Sequence, residues 1–302
     1  MSFAKEIIKN KQLYTLALPG IVFLLLFSFI PMFGHLIAFE KFQPTKGIFG
    51  SPWVGFENFK FFFGGHDWIK ITLNTVFLNS LFIFFGIGFA VLLAVILNEI
   101  QNVLIKRLSQ SFIFLPYFIS WLVVSLMALS FMGSDGIMNG MLQKWGFPSV
   151  SWYQNPGIWP WILTLVYVWK FSGYYSIIFL AAIVGISSEQ FETAKIDGAT
   201  RFQQIVHITL PSIRPVVIVM VLLGIGRIFF GDFGMIYGMV GDNSLLYPTT
   251  DVIDTYSFRA LRQLGNFSMS AAVVLYQSAM GLITILIFNR IAKSVEPESR
   301  LF

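Results

Sequence analysis

Hydrophobic residues occupy this chain in six long blocks, roughly 13–39, 71–97, 109–132, 158–184, 213–237 and 267–289. Each reaches the length of about 20 residues that an α-helix needs to cross the hydrocarbon of a bilayer. The polar segments between them alternate in character. Segments 98–108 and 185–212 are charged connectors, whereas 40–70, 133–157 and 238–266 mix aromatics with Gly and Pro, as in Ser51-Pro52-Trp53-Val54-Gly55-Phe56. These latter three predict short helices lying at the membrane interface, with Trp68, Trp145, Trp152, Trp159 and Trp161 as anchors near the outer ends of spans. The pattern predicts an all-α integral membrane protein, a single domain over 1–302 with six transmembrane helices.

Charge then orients the spans. An even number places both termini on one side. Taking that side as cytoplasmic gives the inner segments eleven cations: Lys5, Lys9, Lys11, Lys106, Arg107, Lys195, Arg201, Arg214, Arg290, Lys293 and Arg300. The outer segments hold seven: Lys41, Lys46, Lys60, Lys70, Lys144, Arg259 and Arg262. The bias follows the positive-inside rule and accounts for the net charge of +5 without a nucleic-acid partner, since the basic residues are dispersed. A hydrophobic fraction of 56% against 12% charged residues excludes a soluble domain of ordinary composition. The chain has no cysteine, hence no disulfide framework, thiolate metal site or nucleophilic thiol. The first apolar block follows Lys5, Lys9 and Lys11 but lacks a small-residue cleavage site, and reads as an uncleaved first span.

One polar connector is built unlike a linker. In Phe191-Glu192-Thr193-Ala194-Lys195-Ile196-Asp197-Gly198-Ala199, the residues Glu192, Ala194 and Lys195 favour helix and Asp197-Gly198 is a turn signal. A second helical run then leads to Pro211 and the next span. With its Glu-x-Ala-x-x-Asp-Gly-Ala core and the Ile208-Thr209-Leu210-Pro211 ending, this loop (187–211) resembles the cytoplasmic coupling loop of permease subunits in binding-protein-dependent carbohydrate ABC importers. The maltose-permease-like family and its polysaccharide and oligosaccharide branch are the nearest in character. Thr193 stands where that family usually has a second alanine and Ile205 where it often has phenylalanine; both fit a half-buried helix.

Within the spans, a few polar residues are out of place for lipid-facing helices. Lys170 and Arg227 each fall about 17–18 Å from the end of their predicted span, near the centre of a hydrocarbon layer of about 30 Å. Around them the sequence offers Trp169, Tyr174 and Tyr175 on span four, Asp232 and Phe233 on span five, Tyr276 and Gln277 on span six, and Asn74 and Asn79 on span two. Aromatic faces with planar polar groups suit a hydroxyl-rich ligand, so these are candidate lining residues for a sugar pathway. The bland alternative stands beside it: Arg227 pairing with Asp232, or Lys170 with backbone carbonyls, to hold helices together. Gly224, Arg227 and Gly231 recur at helical spacing on span five, which favours close helix approach or a bend.

Catalytic signals are lacking. There is no Gly-x-x-x-x-Gly-Lys-[Ser/Thr] phosphate loop, and His35, His66 and His207 sit on different segments without metal-ligand spacing. The resemblance implies a transport subunit that is not an enzyme and carries no cofactor, with ATP and Mg on partner subunits. Those partners are a second homologous permease, an ABC ATPase dimer and an extracytoplasmic solute-binding protein, in a cell membrane of ordinary lipid. It also implies that Glu192, Ala194, Asp197, Gly198 and Ala199 couple to the ATPase. The segment holding Asp251, Asp254, Tyr256 and Arg259 would face the binding protein, although by residue type alone it is a solvated loop. The expected cargo is an oligosaccharide or polysaccharide breakdown product. The alternatives are a phosphorylated sugar such as glycerol phosphate, or an ion-coupled secondary transporter relying on Asp232, the one acidic residue within the spans.

Overall fold

In the computed structural model the described residues are 9–65 and 67–295. Lys5, His66 and Arg300 lie outside them, as does the side chain of Lys293. The protein is an all-α membrane protein. Among the described residues six helical segments are long and apolar enough to cross a membrane: Lys11–Phe39, Asp67–Glu99, Trp121–Lys144, Pro156–Val184, Arg201–Ile225 and Phe267–Ile291.

The chain divides into two compact units, Met1–His66 with Ser257–Tyr276, and Asp67–Tyr256 with Gln277–Phe302. In the first, α1 (Lys11–Leu24) continues through a π-turn at Leu25–Phe29 into a 3-10 stretch at Phe33–Phe39, and its α-helical turns bury no residue. The loop that follows is closed by a single bridge between Glu40 and Trp53 and by the Asn58 side chain, which donates to the carbonyls of Ala38 and Glu40. Helix α2 (Glu57–Gly64) carries Phe62 and Phe63, whose rings pack on Tyr276 at 5.3 and 5.4 Å.

The second unit is organised on α3 (Asp67–Glu99) and α7 (Trp159–Val184). On α3 the buried positions Ile71, Thr75, Leu78, Phe82, Gly86, Ala90, Ala94 and Leu97 recur every three or four residues, one continuous stripe on a helix. They feed two cores. One joins Leu78 and Phe82 to Trp159, Leu163, Met235, Ile236 and Met239; the other joins Ala90, Ala94 and Leu97 to Phe179, Ile183 and Ile213. Small residues bring helices close: α7 meets α4 (Val103–Phe114) at Gly173, where a Cβ would run into the carbonyl of Ile113. Trp159 is fully buried and donates its indole N–H to the Trp152 carbonyl at 2.9 Å, so it is core rather than an interfacial anchor, whereas Trp145 and Trp161 are exposed.

Two apolar blocks do not form uninterrupted spans. The block at 109–132 breaks where Pro116, lacking an N–H, turns the chain into a 3-10 segment (Leu115–Phe118). Ser120 then caps a new helix, α5 (Trp121–Met132), by accepting from the Val123 N–H. Helix α6 (Ile137–Lys144) follows after a short turn. The block at 213–237 breaks as well. Helix α10 (Leu210–Ile225) stops, and Asp232 caps α11 (Phe233–Val240), accepting from Met235 N at 3.1 Å. Gly224, Arg227 and Gly231 therefore do not share a helix face; the bend is what this sequence encodes. Between these, α8 (Ser188–Ile196) turns into α9 (Arg201–Gln204), which runs on through a π-turn (Ile205–Thr209) into α10. Helices α12 (Tyr247–Thr250), α13 (Ile253–Leu264) and α14 (Phe267–Val295) complete the chain.

The contact at Gly173 is testable. Gly173→Ala is expected to force α4 off α7 and lower the fraction of chain eluting as a monodisperse peak from detergent extracts. Gly140→Ala, on α6 with nothing within 4 Å of the added carbon, should leave that fraction unchanged.

Candidate functional site

A break in a membrane helix exposes backbone N–H and C=O groups that hydrocarbon cannot satisfy, each costing several kcal/mol if left unmet. Three polar residues of the predicted spans, Lys170, Asn79 and Gln277, serve that need. Lys170 is buried, and its ammonium donates to the carbonyls of Pro116 (3.2 Å), Tyr117 (3.1 Å) and Ile119 at the break before α5, joining the Ile119 N–H on the Pro116 oxygen. The Trp121 ring covers the same ammonium at 4.9 Å. A cation at the C-terminal end of a helical stretch also meets the favourable end of its dipole.

The second break, 226–232, is held from three sides. Asn79 Nδ2 donates to the Ile228 carbonyl at 3.0 Å and Gln277 Nε2 to that of Phe229 at 2.7 Å. Asp254 Oδ2 accepts from Gly231 N at 2.7 Å and from Gln277 Nε2 at 2.9 Å. A Cβ on Gly231 would come within 2.9 Å of that carboxylate, so the close approach depends on glycine. Burial pushes the Asp254 carboxyl up from the ordinary range, against the pull of these two donors. Asn74 works in the same way one turn earlier on α3, donating to the carbonyls of Pro248 and Asp251 at the end of α12.

The segment 247–259 is thus not an ordinary solvated loop. Asp251 is buried and accepts from Thr255 Oγ1 at 2.7 Å, and Asp254 is turned inward onto the break. Tyr256 and Arg259 are half-buried on α13. The physical reason is the demand of 226–232 for partners, which a loop-like composition does not announce.

What remains lines a cleft of about 610 Å³. Of the predicted residues, Asn79, Tyr174, Tyr175, Arg227, Asp232 and Phe233 border it, beside Phe82, Tyr167, Phe171 and Phe230. Trp169 (41% exposed), Lys170, Asn74, Tyr276 and Gln277 do not. The walls are aromatic: Tyr174 stacks on Tyr117 at 4.5 Å, and Tyr167 on Phe82 at 4.7 Å. Asp232 is already committed at both oxygens, to Met235 N and to Trp121 Nε1 at 2.9 Å. Arg227 is exposed and makes no ion pair or hydrogen bond to a described residue through its guanidinium; the alternative pairing with Asp232 is not formed. Tyr167, Phe82 and Phe171 went unnoticed in the sequence because nothing separates an aromatic facing a cleft from one facing lipid.

The polar connector folds as its sequence predicts. Ser187 caps α8, Gly198 turns the chain at φ +80°, and Thr200 and Gln203 form a reciprocal capping box for α9. Glu192 and Asp197 are exposed, and so are two large apolar side chains that sequence reading missed, Ile196 (87%) and Phe202 (74%). Apolar residues projecting from a charged loop on either side of its turn were the available signal.

Comparison with known proteins places this geometry. Residues 83–297 match the family model described as binding-protein-dependent transport system inner membrane component. The chain is 36% identical over 299 residues to protein LplB of Bacillus subtilis (strain 168), covering 99% of this chain and 93% of that protein. It is 35% identical over 296 residues to the polygalacturonan/rhamnogalacturonan transport system permease protein YteP of the same strain, covering 97% and 91%. A solved bacterial ABC transporter involved in the import of the acidic polysaccharide alginate has a chain that superposes with a TM-score of 0.88 at 31% identity. That superposition covers 98% of this chain and 100% of the other.

If the side chains at the second break are structural partners, Gln277→Leu leaves the Phe229 carbonyl unmet and removes a donor from Asp254. The expected loss is about 1–3 kcal/mol, read as a fall in melting temperature of the purified protein in detergent; an unchanged midpoint would remove that role.

Proposed function

We infer the function from one premise: the chain belongs to the family of binding-protein-dependent transport system inner membrane components. It is a multi-pass cell-membrane permease of a carbohydrate ABC importer, and in this family ATP hydrolysis resides on other subunits. Our reading is that this chain forms one half of a translocation pathway. It pairs with a second permease, docks two copies of an ATPase from the cytoplasm, and receives cargo from an extracytoplasmic binding protein. The observation that carries it is the match over nearly the whole chain to a solved importer chain. Both termini are then cytoplasmic.

The exposed knob at 188–204 supplies the ATPase contact in this reading. Ile196 and Phe202 are its apolar anchors and Glu192 its charged rim, and Gly198 fixes the angle between α8 and α9. From Arg201 to Ile225 the chain is helical without interruption, about 37 Å at 1.5 Å per residue, and it ends at the break that borders the cleft. Movement of the knob is thereby carried as a rigid displacement to Arg227 and its neighbours. An ion-coupled mechanism has less support, because Asp232 is already bonded at both oxygens.

For the cargo, we read an acidic oligosaccharide. The names of two similar proteins refer to acidic polysaccharides or their backbones. In this chain, a cleft walled by tyrosine and phenylalanine presents Arg227 as a cation without a described partner. A guanidinium facing an aromatic cleft is costly to leave without an anion, and it matches a carboxylate bidentately.

Two measurements follow in proteoliposomes containing the assembled importer. Gly198→Val places a β-branched residue at φ +80° and is expected to abolish uptake while the chain remains in the membrane; normal uptake would reject the coupling role. Arg227→Gln is expected to slow uptake of uronate oligosaccharides tenfold or more and to leave stimulation of the ATPase by the loaded binding protein measurable. Equal uptake of acidic cargo by both proteins would reject the acidic reading.

A further inference from the structure

Trp121 opens α5 directly after the first break, and its indole reaches the second. Three neighbours fix the ring. The Lys170 ammonium lies over its face at 4.9 Å, the Phe171 ring meets it edge-on with centroids 6.0 Å apart, and a Cβ on Gly234 would come within 2.9 Å of Trp121 Cδ1. Held this way, Nε1–H donates to Asp232 Oδ2 at 2.9 Å. Asp232 Oδ1 meanwhile accepts from Met235 N at 3.1 Å as the cap of α11. Lys170, Phe171 and Gly234 need only an aromatic face and edge, which phenylalanine would supply; the N–H has Asp232 as its one partner.

The bond matters because of its neighbour. Arg227 precedes Asp232 by five residues on the same break and borders the same cleft, exposed and without an ion pair to a described residue. A carboxylate beside it is the natural partner for a guanidinium, by charge and by the match of two N–H donors to two oxygens. Two donors do not exhaust the lone pairs of Asp232, but they hold it by both oxygens, to α5 and to the start of α11. A guanidinium fork needs both oxygens at once, and turning the carboxylate toward one costs the Trp121 bond.

We propose that Trp121 is a positioning residue that determines cargo specificity: its N–H keeps Asp232 off Arg227 and so leaves the cleft a cation free to meet the carboxylate of an acidic oligosaccharide. The inference rests on the acidic-cargo reading above and names the residue that makes Arg227 available. With the N–H removed, Oδ2 loses its donor, the carboxylate turns onto Arg227, and cargo must break an internal ion pair before it can bind. Lys170 then has a second use, since the cation that closes the first break also orients the ring that sets the charge at the second.

Labelling of Arg227 by phenylglyoxal, read by mass spectrometry on the assembled importer, reports pairing independently of cargo. Trp121→Phe keeps an aromatic ring between Lys170 and Gly234 and removes the N–H. It is expected to cut labelling of Arg227 and to slow uptake of a uronate oligosaccharide, each about tenfold, the scale of one hydrogen bond to a charged group. Adding Asp232→Asn, whose amide oxygen can still cap α11 but which carries no charge, should restore both. If Trp121→Phe does not assemble, benzothienylalanine at position 121, with sulfur in place of the indole N–H, serves in its stead. Labelling unchanged without the N–H, or losses that Asp232→Asn does not restore, would overturn the inference and leave the acidic reading intact. Labelling cut with uptake unchanged would show that cargo does not use Arg227 and would overturn both.

Discussion

The structure depends on how it meets the hydrogen-bonding demand of two broken helices. Hydrocarbon offers nothing to a free carbonyl, so a break inside a span survives only where side chains from neighbouring helices reach it. Here Lys170 closes one break by gathering three carbonyls, and Asn79, Gln277 and Asp254 close the other. These are long-range bonds between α7 and the α4–α5 junction, and between α3, α13, α14 and the α10–α11 junction. They fix which helices are neighbours more specifically than apolar packing does. The inward turn of Asp254 follows from the same demand.

This constraint also separates the polar residues by role. Lys170 and Gln277, which satisfy backbone, do not border the cleft, whereas Asn79 does both. Those left over are few: Arg227, the hydroxyl groups of Tyr167, Tyr174 and Tyr175, and the aromatic faces around them. In the proposed reading, a pathway lined this way would offer stacking surfaces along its walls and one positive charge to a chain of hydroxyl-rich rings bearing carboxylates.

Much of this was legible in the sequence, and the residues show where legibility stopped. The spans, the helix–turn–helix connector and the turn at Gly198 follow from local signals: apolar run length, Asp197-Gly198, and the Thr200 cap. Pro116 and Asp232 were visible too, but each sits within an apolar run long enough to span, and run length hid the breaks. Polarity at depth marked Lys170, Asn79 and Gln277 as unusual without saying whether they face cargo or backbone, since both uses want the same chemistry. Only the positions of the broken carbonyls decide between them. Ile196 and Phe202 are the reverse case, apolar residues whose meaning comes from exposure, and exposure is a property of the fold.

We propose that the cleft charge at Arg227 serves cargo while the buried cation at Lys170 serves the backbone. This assignment is tested most directly by determining the structure of the assembled importer with an acidic oligosaccharide trapped in the membrane. The account predicts a sugar carboxylate against the Arg227 guanidinium and rings stacked on Tyr174 or Tyr175, with Lys170 still on the carbonyls of Pro116, Tyr117 and Ile119. Cargo bound to Lys170 or Gln277, with either break closed into continuous helix, would contradict it.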